Sequence, residues 1–458
     1  MTGLHADGFP EAAVRARARR GTAEVFPAAG SYGSRLFGAG AGTPDAGAAP
    51  HGPGDGLDRA RLVPPVFMPR RLEKLIDLGR EPLHDDVDLR TALGGFTSEL
   101  PLYLSAFGST RAGSGDLAIA ASRQAARLGI PMVIGENMVP VHGYRGGAER
   151  SALLARIAAY VAEVPDGVGG LVVQQSTEDA DGEVWNLLYS DPATRPLLDS
   201  GRLAFELKTG QGAKPGLGGM TVVGRAEAAA LAGRFAVRDV LGATEESDES
   251  GEPDESAGSG GSGTSPAPGT SPLLLRCATP GTFTQEILRQ QIRFMRNNYP
   301  RARTWVKFHP GRDVAEAAAV AWAAGADAVT VDGAEGGTGW APLVLMDAAG
   351  LDLAECLRRI GRPAGCLLAS GRMWEGGRAV KALTLGATAV GLGRAALLAV
   401  DEDPDNGLVR LVAALALEAR LLISALGQYR AADVGPDDVW WSDGSAAPAA
   451  PTAPGVTR

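Results

Sequence analysis

Cysteine is nearly missing from this chain: Cys277, Cys356 and Cys366 are the three in 458 residues, far apart and in no paired motif. That excludes a disulfide framework and fits a reducing cytoplasm, so the expected location is cytoplasmic. Long apolar runs are missing too, and no segment approaches the roughly 20 residues that a membrane-spanning helix needs. Arg15, Arg17, Arg19 and Arg20 are followed by no apolar segment, so the start reads as a polar leader and not as a secretory signal. Positive charge is short as well. The formal net charge is −9, and Glu245, Glu246, Asp248, Glu249, Glu252, Asp254 and Glu255 lie in one stretch without Lys or Arg. Without those seven the remainder carries −2, which gives no electrostatic case for nucleic acid.

What is present is a hydrophobic fraction of 45%, enough for a sizeable core. Residues 1–60 are rich in Gly, Ala, Pro and Arg without a sustained period, and are expected to form a disordered or loosely attached arm. From 101 to 430 helical patterns alternate with eight short apolar runs: Leu102–Ala106, Met132–Gly135, Leu171–Gln174, Leu203–Leu207, Thr304–Phe308, Ala328–Val331, Cys366–Ser370 and Ala389–Gly391. Short glycine-bounded runs without strict alternation suit parallel strands buried on both faces. Eight such units predict an α/β fold, a (β/α)8 TIM barrel, against the alternative of an open doubly wound sheet. Residues 61–100 read as a lead-in segment packing on that barrel. Residues 244–272 turn from acidic to Gly/Ser-rich to Pro-rich between strands four and five, and are expected to be a disordered surface insertion. Leu408 to Leu426 predicts an amphipathic helix on the barrel, and 431–458 a largely disordered tail.

Barrels bind ligands where their strands end, at the C-terminal face. The candidates there are Ser105 and Ala106 after strand one, Glu136 after strand two, and Lys208, Gln211 and Lys214 after strand four. Strand five carries Lys307 and ends at His309. Strand six leads to Asp332 and the loop Gly336-Gly337-Thr338-Gly339. Strands seven and eight end in Ser370-Gly371-Arg372 and Gly391-Leu392-Gly393-Arg394, the pair of loops that most often holds a phosphate in barrels. The same glycines also suit ordinary tight turns. Lys307 is costly in a buried strand unless it is paired, faces a ligand or snorkels to water. Gly391 to Ala396 formally matches G-x-G-x-x-A, but too few elements come after it for a Rossmann unit.

The run Glu206-Leu-Lys-Thr-Gly-Gln-Gly-Ala-Lys-Pro-Gly-Leu-Gly-Gly219, together with Gly336-Gly-Thr-Gly-Trp-Ala-Pro342, resembles the FMN-binding domain of the glutamate synthases over residues 60–430. The resemblance implies FMN as cofactor. It implies hydride transfer from reduced flavin to 2-iminoglutarate, formed from 2-oxoglutarate and ammonia, or to a related imine. In that setting Lys208, Lys214, Gln211 and Glu136 would face the substrate. Lys307 would face the flavin ring, and Ser105, Ala106, the strand-six loop and the strand-seven and strand-eight loops would hold the cofactor. The chain starts Met1-Thr2-Gly3 and has no cysteine before Cys277, so the family's N-terminal cysteine nucleophile for releasing ammonia is not expected here. Nor does any cysteine come after Cys366 to ligate an iron–sulfur centre. A separate electron-donating or ammonia-supplying partner is therefore expected. Other readings are a catalytically silent barrel serving as a scaffold with the acidic insertion as its docking element, and a flavin enzyme with another substrate. A 2-hydroxyacid oxidase is weaker, because only His309 is placed to act as a base.

Overall fold

The computed structural model of the chain describes residues 4–6, 8–31, 54–107, 111–112, 115–135, 147–177, 182–210, 212, 214–218, 220–223, 229, 236–238, 274–277, 283–337 and 341–441. Eight parallel strands close into a barrel: β1 (Leu102–Phe107), β2 (Met132–Ile134), β3 (Leu171–Ser176), β4 (Leu203–Lys208), β5 (Arg303–Phe308), β6 (Ala328–Asp332), β7 (Cys366–Ser370) and β8 (Ala389–Leu392). Every one of the eight apolar runs is a barrel strand. β8 pairs with β1 through Gly391 and Tyr103, which closes the sheet.

The pleat sorts each strand's residues to two faces. Outward positions such as Val173, Phe205, Val306 and Val329 pack under the helical layer in the main core. Inward positions form a separate cluster with Tyr103, Val133, Val172, Ala204, Trp305, Ala328, Leu368 and Ala389. The hairpin Thr91–Leu93/Phe96–Ser98 stoppers the N-terminal end of this lumen. Its two-residue turn, Gly94-Gly95, has φ of 55° and 93°, the geometry that matches the twist of a hairpin. Trp305 Nε1 donates to Gly94 O at 2.9 Å, and the rings of Phe96 and Trp305 lie 5.4 Å apart. The lead-in segment thus seals one end of the barrel and leaves the other for chemistry.

Two segments differ from their composition. Glu11–Arg20, inside the expected arm, is an α-helix whose Val14 and Ala18 are fully buried against the helices Arg394–Glu402 and Gly407–Ala425. Valine and alanine at i, i+4 give it an apolar stripe, and Arg15 and Arg17 reach Asp401 and Glu418 at 2.8 and 2.6 Å. Residues 54–62 are ordered as well: a turn of helix, Gly56–Arg59, leads into Ala60–Leu62. That strand pairs with Val439–Trp441, so the first part of the expected tail is also structured. The predicted amphipathic helix runs from Gly407 to Ala425. Between β4 and β5 lies a small antiparallel sheet of Met220–Val223, Leu274–Cys277 and Ala236–Arg238. The acidic insertion, 244–272, falls between its second and third segments in the chain and lies outside the described residues. Among the described residues, no helix is long and apolar enough to cross a membrane.

Candidate active site

The inward-facing residues become polar toward the C-terminal ends of the strands. Register places Gln174 beside Glu206, Ser176 beside Lys208, Lys208 beside Lys307, and Asp332 beside Ser370. These side chains form a charged floor above the apolar plug. Glu206 is 1% exposed; Gln174 Nε2 and Thr330 Oγ1 donate to its two carboxyl oxygens, the latter at 2.8 Å. Burial raises its pKa, against the opposing pull of the Lys307 ammonium and those two hydrogen bonds. Lys307 Nζ lies 3.0 Å from Asp332 Oδ2. Ser370 Oγ donates to the other oxygen of Asp332, and Gly212 N approaches Oδ2 at 3.4 Å. The Lys307 ammonium is therefore fixed in place by a carboxylate that is itself anchored from strands six and seven. Tyr103 lies beneath Gly391, beside Ser105 and Ser370; burial, then the Glu206 and Asp332 charges, push its pKa well up, so it stays a neutral phenol.

The two glycine motifs meet. A side chain at Gly212 would collide with the carbonyl of Gly333, so the strand-four loop can lie on the strand-six loop only with glycine there. Gly391 is needed equally: a Cβ would strike the Ser105 hydroxyl. Lys208 and Lys214 are both buried, and Lys214 Nζ reaches Met220 O at 3.5 Å, directed to the small sheet. Ala106 is half-buried behind Ser105. Gly336 is buried and Gly337 exposed, and Arg394 Nη2 would lie 3.4 Å from a Cβ on Gly337, so the strand-eight arginine reaches the strand-six loop. Arg372 behaves differently. Its side chain is held by Asp58 at 2.7 Å and Asp55 at 3.4 Å, so its charge is taken up by the N-terminal segment. Ser370, Gly371, Gly391 and Gly393 stand at the same barrel end as Lys307. Glu136, Gln211 and Thr338 lie outside the described residues.

His309, at the end of β5, packs on Gly210, where a Cβ would come within 2.6 Å of Nδ1. Burial lowers its pKa despite the nearby Asp313 carboxylate, which keeps the ring neutral. It lines an open cavity of about 390 Å³ with Pro215, Gly216, Gly350 and Leu351, at the rim of strands four to six. Sequence reasoning left Glu206 out of the site. The available signal was a carboxylate placed inside an otherwise apolar run, Leu203-Ala-Phe-Glu-Leu.

The lysines and stacked glycine loops gather at the C-terminal face, the end at which parallel barrels generally bind small ligands. Residues 281–402 match the model of the conserved region in glutamate synthase. The archaeal-type glutamate synthase [NADPH] of Dehalococcoides mccartyi is 32% identical over 212 residues, 44% of this chain and 36% of that protein. Its counterpart in Thermotoga maritima is 31% identical over 207 residues, 43% and 34%. Over those stretches the chain is similar to the glutamate synthases, and the matched part spans about a third of those relatives' length. Among solved structures, the (S)-mandelate dehydrogenase of Pseudomonas putida superposes with a TM-score of 0.48 at 19% identity, over 84% of this chain and 88% of that one. A flavocytochrome b2 variant with pyruvate bound gives 0.49 at 17%, over 84% and 77%.

Proposed function

We propose that the chain is an FMN-dependent oxidoreductase that reduces 2-iminoglutarate, or a related imine made from a 2-oxo acid and ammonia, to the amino acid. The observation that carries this reading is the Lys307–Asp332 pair at the floor of a barrel end walled by the glycine loops of strands four, six, seven and eight. Fit to a flavin rests on the polar atoms left at that end. The hydroxyl of Ser176 is buried with no hydrogen-bond partner among the described residues, and Gly391 lets strand eight lie directly against the Ser105 hydroxyl. Strands seven and eight, with Arg394 beside Gly337, would hold the phosphate.

FMN, when bound, supplies the hydride in its reduced form. The chain's own part is electrostatic and positional. Asp332 holds Lys307 so that a positive charge waits at the site before the ligand arrives, which favours an electron-rich ring. Lys208 and Lys214, both buried, suit the carboxylates of a dicarboxylic substrate. The neutral His309 and the rim cavity suit the part of the substrate that reaches outward. An electron donor on a separate protein completes the cycle.

The visible absorption spectrum of the purified protein tests the cofactor. The expected result is a flavin spectrum at one FMN per chain, bleached by dithionite and restored anaerobically by 2-oxoglutarate with ammonium. A protein that stays colourless after incubation with excess FMN overturns the proposal. A flavin that reoxidises with neither that pair nor other 2-oxo acids and ammonium overturns the imine assignment while leaving the cofactor.

A further inference from the structure

The strand-seven loop is gripped from outside the barrel by a part of the chain more than 300 residues away. Arg378 is fully buried, and its guanidinium makes a two-bond fork with Asp55, Nη1 to Oδ1 at 2.9 Å and Nη2 to Oδ2 at 2.7 Å. Asp58 bonds both Arg378 and Arg372, the latter at 2.7 Å. Both carboxylates sit on one turn of helix that Asp55 caps by accepting from Asp58 N. This turn is wedged into the helical layer: Gly56 N donates to Asp352 at 3.1 Å, Lys381 Nζ donates to Leu57 O at 2.9 Å, and Leu57 is fully buried.

What the grip holds is unusual backbone. Arg372, with φ of 49°, is the one non-glycine in the left-handed region among the described residues, and it comes directly after Gly371 at φ 145°. A side chain in that region is strained, and such a conformation persists where its surroundings over-determine it. Here the surroundings are the two aspartates. Gly371 and Ser370 meanwhile face the other way, against the strand-six loop and Asp332.

We propose that Asp55 and Asp58 are positioning residues for the phosphate end of the flavin site. By drawing Arg372 outward, they set the backbone of the strand-seven loop in the conformation that receives the phosphate. The N-terminal segment is then a working part of the site, acting through Arg372 without touching the ligand. This rests on the reading of the barrel end as a flavin site.

The test is binding of FMN and of riboflavin, which lacks the phosphate, to the full chain and to Asp58→Asn. Asp58 is the more exposed of the two carboxylates, so Asp55 still pairs the buried Arg378 in that variant. The expected result is FMN affinity weakened by about tenfold with riboflavin affinity unchanged, a loss confined to the phosphate. Arg372→Gly in the Asp58→Asn background restores FMN affinity, because glycine takes the left-handed conformation without a clamp. Equal losses for both flavins mean a merely structural role and overturn the proposal, as does no loss, or a loss that glycine leaves uncorrected. A parent chain that binds neither flavin defeats the cofactor reading together with this one; a parent that binds FMN normally while the variants fail the pattern defeats this one alone.

Discussion

Two buried charge clusters meet at the end of strand seven, one from inside the barrel and one from outside. The inner cluster joins Glu206, Gln174, Thr330, Lys307, Asp332 and Ser370, all on barrel strands. The outer joins Asp55, Asp58, Arg372 and Arg378 across more than 300 residues. The inner cluster comes from the pleat: once register is fixed, every second residue must face the lumen, and the polar ones must meet. The outer depends on where the chain's N-terminal part returns, which no local period dictates. Site chemistry at a barrel mouth is set by strand register, whereas loop conformation there can be set by a remote segment.

The inner cluster should be the less forgiving. Asp332→Ala removes the carboxylate 3.0 Å from the buried Lys307 ammonium and the acceptor of the Ser370 hydroxyl, with an expected cost of about 3–5 kcal/mol in urea unfolding. Asp332→Asn keeps hydrogen-bonding capacity and should cost less. If Asp332→Ala unfolds like the parent, the pair is not organising the floor. Asp55→Ala should come second, at about 2–3 kcal/mol, because Asp58 stays beside Arg378 and shares its charge. A larger loss for Asp55→Ala than for Asp332→Ala would reverse the ranking of the two clusters.

The same contrast explains what the sequence made legible. All eight strands were readable because a parallel sheet buried on both faces leaves short, glycine-bounded apolar runs whatever the rest of the chain does. Lys307 was readable as a charge inside such a run. Its partner Asp332 was visible at the end of strand six, but nothing local ties it to a lysine on strand five. The helix Glu11–Arg20 was hidden because its stripe is only Val14 and Ala18, in a stretch whose alanine and arginine content suggested an unpacked arm. The strand Val439–Trp441 was hidden because its partner, Ala60–Leu62, lies at the other end of the chain. Arg372 was found as a residue and misjudged in direction: a glycine–arginine pair after a strand suggests a phosphate contact, and nothing nearby announces Asp55 and Asp58.

Glu335 is where the two clusters can be compared through one group, since it lies between them. Its carboxylate accepts from Leu353 N at 3.1 and 3.2 Å and packs against Gly333 and Gly371. Burial, then the Asp55 charge, raises its pKa from 4.5 to about 7, with the Leu353 hydrogen bond and Arg378 opposing. An acid whose pKa is higher folded than unfolded binds its proton more tightly in the native state. That contribution is fully present below pH 4.5 and is lost as pH rises to about 7. The full shift corresponds to about 3 kcal/mol at most, and the partial exposure of the side chain should reduce it to about 1–2 kcal/mol. Glu335→Gln, which stays neutral, should remove that slope from a series of urea unfolding curves between pH 4.5 and 7.5, roughly the window of the shift. Asp55→Asn should flatten it in part, by removing the outer cluster's share of the push, while Asp332→Asn should leave it as it is. Equal flattening by both aspartate variants would mean that the two clusters act on the strand-seven loop as one electrostatic unit, and that the inside–outside distinction is one of geometry alone.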